Sequence, residues 1–174
     1  MVIEAGWSTI FDQISENDAQ LDRNAFCQNM RSSRPSGCST GTAPSTPIND
    51  PNWAPNGCGG GSLSAAIASI LVGIPLPWLN LNHPATDVVF TPACNDHDSC
   101  YAFGEASRLT CDTNFSTAMG LTCNTSENPT CSSYQSAYHL AVRQFGASPY
   151  AQWAADRQCA TWHIEMEANN CAKQ

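Results

Sequence analysis

Basic side chains are scarce in this sequence, with seven Lys and Arg against fifteen Asp and Glu and a formal charge of −8. Such a field repels phosphate backbones, so nucleic acid is excluded as a partner, and strongly anionic membranes are repelled at long range. Long apolar runs are missing as well. The longest, over 67–81, is interrupted by Gly73, Pro75 and Pro77 and is too short to span a bilayer, so no transmembrane segment is expected. No two cysteines stand at C-x-x-C spacing, and His83, His97, His139 and His163 do not repeat as in zinc modules. A Gly-x-Ser-x-Gly turn is also absent, which argues against a serine nucleophile. The opening Met1-Val-Ile-Glu-Ala-Gly has neither a basic start nor an apolar stretch with a cleavage site, and we expect a mature form with an added or retained methionine.

Cysteine is plentiful instead. Ten in 174 residues is an even number and a high density, which predicts a disulfide framework and a secreted, extracellular protein. The length and the 42% apolar content suit one domain over 1–174. Asn114-Phe-Ser and Asn124-Thr-Ser are glycosylation sequons, relevant only in a eukaryotic secretory route.

Within that domain, Trp7, Ile10, Phe11, Ile14 and Leu21 recur at roughly helical spacing, so 1–31 is read as an amphipathic helical region. Residues 32–57 turn to Ser, Thr, Pro and Gly, which predicts an irregular segment pinned by Cys38. Residues 58–174 form the expected core. There, 63–72 is read as a short helix, and Thr91-Pro92 as a helix start with threonine capping and Gly104 as its stop. A further helix is expected from Ser107 towards Cys123, closely joined to the preceding one and therefore antiparallel to it. Helices over 132–146 and 150–168 follow, the first with an apolar stripe of Tyr134, Tyr138, Ala141 and Phe145. The fold class is mainly α, disulfide-cross-linked, with little sheet.

The run Ala93-Cys-Asn-Asp-His-Asp-Ser-Cys-Tyr101 is the most informative in the chain. Positions three or four apart share a helix face, so Cys94 neighbours Asp98 and Cys100 neighbours His97. If Cys94 pairs with Cys58, the loop Gly57-Cys-Gly-Gly-Gly61 is drawn to the Asp98 side, where nearly bare backbone can turn carbonyl oxygens inward. Calcium takes six to eight such hard oxygens, with a carboxylate supplying charge. If Cys100 pairs with Cys111, Asp112 comes near His97, where a carboxylate fixes the imidazole tautomer and leaves the other nitrogen as a general base. Each feature alone has a plainer reading: a solvated His-Asp pair, a flexible turn, an aspartate complementing a helix dipole. The cysteines that tie all three together favour a site.

Asn56-Gly-Cys-Gly-Gly-Gly followed by Cys94-Asn-Asp-His-Asp-Ser-Cys-Tyr101 resembles the calcium loop and active-site helix of the secreted calcium-dependent phospholipases A2. Cys111-Asp-Thr-Asn-Phe115 resembles their second catalytic helix, most like the compact fungal and bacterial members. The resemblance covers about a third of the chain. It implies His97 as general base, Asp112 as its orienting partner, and Tyr101 as a hydrogen-bond donor to that aspartate. It implies Asp98 and the carbonyls of Gly57, Gly59 and Gly61 as calcium ligands, the Gly59 amide at the oxyanion, and the pairings Cys58 with Cys94 and Cys100 with Cys111. The implied activity is hydrolysis of the sn-2 ester of a glycerophospholipid at a membrane or micelle surface.

The chain also departs from that pattern. Thirty-two residues separate Gly61 from Cys94, an insertion over 62–91 at the lipid entrance. Ala93 replaces the first of the adjacent cysteines of the venom and pancreatic forms, and the fourteen residues between His97 and Asp112 leave no room for a two-stranded wing. A phospholipase-like binding or toxin protein that acts through a protein partner without catalysis is the alternative reading, disfavoured by the intact His97, Asp98 and Asp112.

Overall fold

Residues 4–59 and 80–171 are described by the structure, a computed structural model. The expected helix over 63–72, most of the 62–91 insertion, and Gly60 and Gly61 lie outside them. The described residues contain five α-helices and no strand, with five disulfides. None of these helices is long and apolar enough to cross a membrane.

The chain divides into two compact units. One comprises 1–44 and 158–174 and contains α1 (Glu4–Ser32). Cys27–Cys171 and Cys38–Cys159 close it, and Trp162 Nε1 donates to the Met30 carbonyl at 2.7 Å. The helix forms where the sequence predicts one, but Leu21 is exposed, and the side chains of Trp7, Ile10, Phe11 and Ile14 lie outside the described ones.

The second unit, 45–157, carries the run 94–101 together with Gly57 and Asp112. It contains a 3₁₀ turn (Gly57–Gly59), α2 (Thr91–Phe103), α3 (Arg108–Thr125), α4 (Cys131–Phe145) and the first half of α5 (Ala147–Ala168). Thr91 does not cap α2. It is already the first helical residue, the N-cap is Phe90 with no side-chain bond, and Phe90 is held instead by full burial and an edge-on contact with Tyr138 at 5.3 Å. Core packing, at about 1.5–3 kcal/mol for a buried Phe, outweighs a cap worth about 1 kcal/mol. Gly104 ends α2 as expected, with φ +69° in the left-handed region and its amide bonded to the Cys100 carbonyl. Ser107 caps α3, its hydroxyl accepting from the Thr110 amide at 3.2 Å.

α2 packs on α3 and on the 3₁₀ turn, and α3 packs on α4. The core between them holds Phe90, Phe115, Met119, Tyr138, Ala141 and Val142, with the Cys58–Cys94 and Cys123–Cys131 bridges at its edge. Of the apolar stripe on α4, Tyr138 and Ala141 are fully buried, but Phe145 is 42% exposed. It belongs to a cavity wall rather than to the core.

Candidate active site

Two turns of α2 carry His97, Asp98 and Tyr101, and the first two turns of α3 carry Arg108 and Asp112. His97 is 6% exposed, and its Nε2 lies 3.1 Å from Oδ1 of Asp112, which has no exposed surface. Tyr101, one turn further on, donates its hydroxyl to the same oxygen at 2.6 Å. The other oxygen accepts from Arg108 Nη1 at 3.2 Å, and the same nitrogen reaches the carbonyls of Val142 at 3.3 Å and Arg143 at 3.2 Å. The imidazole of His97 is packed between the rings of Tyr101 and Phe115, at centroid separations of 4.2 and 4.7 Å. The Cys100–Cys111 bridge joins the two helices one turn from the pair.

A carboxylate can only accept, so Nε2 carries its proton towards Asp112, and Nδ1 is the nitrogen with a free lone pair. Burial pushes the His97 imidazole below its ordinary range and outweighs the hydrogen bond and charge of Asp112, which push it up. The ring is therefore a neutral base at pH 7. Burial likewise raises the Tyr101 phenol, with Asp112 adding to the effect, so Tyr101 remains a donor at all working pH.

Asp98 lies next to the dyad and against the glycine turn. Among the described residues its Oδ2 accepts the Asn56 amide, at 3.3 Å, and burial raises its carboxyl to about 6 despite that bond. A carboxylate removed from water with one long hydrogen bond has unused acceptor capacity, which is what a hard divalent cation fills. The turn beside it is held in place twice. Cys58 is bridged to Cys94, and its amide donates to Asn82 Oδ1 at 2.9 Å. Gly57 sits at φ +78° against the Asn82 side chain, so no larger residue fits there. Gly59 ends the turn, and Gly61 falls outside the described residues. Asp98, with backbone oxygens of the adjacent turn, could hold a cation, and all-oxygen donors suit calcium better than zinc. A different cluster, Cys38, Cys159 and His163, also gathers ligand atoms within 4.8 Å, but its sulfurs are bonded to each other.

His97 and Asp98 open on a common cavity of about 260 Å³. Its polar end is formed by Asn56, Gly57, His97, Asp98 and Tyr101, and its apolar walls by Trp53, Val142, Phe145, Pro149 and Trp153. Trp53 and Trp153 meet edge to face at 5.9 Å, and Phe103 packs on Trp53 at 6.0 Å. The structure thus brings together His97, Asp98, Tyr101, Asp112 and Gly57 from the sequence reading. Sequence reasoning missed Arg108, Asn82 and the tryptophan wall. Only Arg108 left a trace, its i,i+4 spacing to Asp112 on α3. Compared with known proteins, the chain matches no protein-family model, no curated protein and no solved structure.

Proposed function

We propose that this chain is a secreted, calcium-dependent phospholipase A2 that hydrolyses the sn-2 ester of glycerophospholipids. The observation that carries the reading is a buried His97–Asp112 pair whose imidazole lines the same cavity as a half-buried Asp98. Helices α2 and α3 supply the antiparallel active-site pair of this reading. Contacts run from Cys100 to Cys111 and from His97 to Asp112 and Phe115, climbing one helix while descending the other.

In the mechanism, the sn-2 ester enters the cavity with its acyl chain along the Trp53, Phe145 and Trp153 wall. The Nδ1 atom of His97 removes a proton from a water molecule as that water attacks the ester carbonyl, and later returns it to the leaving alcohol. Asp112 holds the ring by its Nε2–H and stabilises the transient imidazolium, while Tyr101 fixes Asp112. A lipid filling the cavity would displace bulk water and strengthen each of these interactions. Asp98 and the backbone oxygens of Gly57, Gly59 and Gly61 would hold calcium. When bound, it supplies positive charge to the substrate phosphate and, with the Gly59 amide, to the developing oxyanion, worth several kcal/mol in comparable sites. Five disulfides fit an oxidising compartment.

The test is release of free fatty acid from zwitterionic phospholipid vesicles, with calcium and with a chelator. Hydrolysis is expected only with calcium. Hydrolysis that persists in chelator removes the role of Asp98, and none under either condition removes the enzyme reading.

A further inference from the structure

We propose that Arg108 is a positioning residue for the reaction, fastening the second oxygen of Asp112 to the last turn of α4 so that its first oxygen stays aimed at His97. The proposal rests on the reading of His97 and Asp112 as a base and its orienter. Asp112 is fully buried and has two oxygens to satisfy. One is shared by His97 and Tyr101, both from α2, and Arg108 is the partner of the other. Without a partner on the second oxygen, the carboxylate can rotate about its Cβ–Cγ bond, and the shared geometry at the first oxygen is no longer defined.

An Arg–Asp pair four residues apart on a helix is usually a weak surface contact. This one differs in two respects. The aspartate has no exposed surface, so its charge has little water to lean on and depends on its partners. The arginine is also held from the far side. Its Nη1 reaches the carbonyls of Val142 and Arg143, which belong to the last turn of α4, where the helix dipole favours a cation.

That turn is part of the cavity. Val142, Phe145 and Gly146 line it together with His97, and the Gly146 amide shares the Val142 carbonyl with Arg108. One nitrogen therefore links the wall that receives substrate to the carboxylate that orients the base. A planar guanidinium, fixed by several acceptors, can do this where a flexible ammonium cannot do it as well.

The test compares Arg108→Met and Arg108→Lys with wild type in the full chain. Arg108→Met is expected to lower kcat at least tenfold with KM within twofold, and Arg108→Lys to recover part of that loss. A second readout needs no turnover: the downfield NMR signal of the His97 Nε2–H, which is expected to be present in wild type, shifted and broadened in the Met variant, and intermediate in the Lys variant. A signal unchanged in Arg108→Met overturns the proposal even if kcat falls, since a purely structural tie would weaken folding without altering that bond. Should near-UV circular dichroism show that the Met variant does not fold, Arg108→Gln replaces it, and wild-type kcat and signal in that variant overturn the proposal. If wild type releases no fatty acid, the function reading fails, while the NMR comparison still tests whether Arg108 holds the pair.

Discussion

Tyr101 and His97 bond the same oxygen of Asp112, at 2.6 and 3.1 Å, although they sit a turn apart on α2. The phenol thus tethers the carboxylate that orients the imidazole. Removing it in Tyr101→Phe leaves the ring packing against Tyr150 in place but takes a donor from a buried charge. We expect a stability loss of about 1.5–3 kcal/mol, measured by urea unfolding, with a fall in kcat and little change in KM. A variant as stable as wild type would mean that water replaces the phenol.

His97→Gln removes the base but preserves a polar side chain of similar reach. Hydrolysis is expected to fall by about 10²–10⁴, the usual contribution of a general base. Calcium binding, followed by calorimetry, is expected to be unchanged, because Asp98 and the glycine turn are untouched. Joint loss of both would show that His97 holds the site together rather than acting in the reaction.

The acid limb of the pH–rate profile separates the two buried titrating groups. Burial pushes the His97 imidazole below its ordinary range and raises the Asp98 carboxyl to about 6, so each can contribute to the limb, and only the Asp98 contribution should respond to calcium. If Asp98 holds calcium as proposed, protons compete with it there, and affinity falls about tenfold per pH unit below about 6. Excess calcium is therefore expected to move the acid limb to lower pH. A limb that stays put as calcium is raised would assign it to His97.

Two disulfides give a matched comparison. Cys58–Cys94 closes 36 residues and Cys123–Cys131 closes 8, so chain entropy predicts losses of about 4 and about 2.5 kcal/mol when each pair is changed to alanine. Calcium affinity is expected to weaken only in the first variant, where the glycine turn is released from α2. No weakening in the first variant would argue that the turn is held by Asn82 alone.

How much of this was legible beforehand follows the range of each interaction. The helices expected within the described residues, the Gly104 stop and the pairing of Cys58 with Cys94 and Cys100 with Cys111 come from patterns spread over a turn or two, or from one dense motif, and the structure has them. Thr91 was misread because a cap is a local preference, and the burial of Phe90 against Tyr138 is a contact between distant segments. The same holds for the cavity wall. Trp53 and Trp153 are 100 positions apart and meet only through tertiary folding, and Phe145 fitted a helical stripe whose period does not tell core from cavity. The three pairings that no motif marked, Cys27–Cys171, Cys38–Cys159 and Cys123–Cys131, are set by topology, about which spacing carries no information.

Cys27 is joined to Cys171 across a separation of 144 positions, and Cys38 to Cys159 across 121. Nearly the whole polypeptide is thereby a macrocycle. A protease that nicks the Ser- and Pro-rich stretch 39–57 severs the backbone yet frees no fragment, and the cut stays invisible on a gel until a reductant is added. Proteolytic damage or maturation in that stretch would leave a two-chain molecule of unchanged mass apart from one added water.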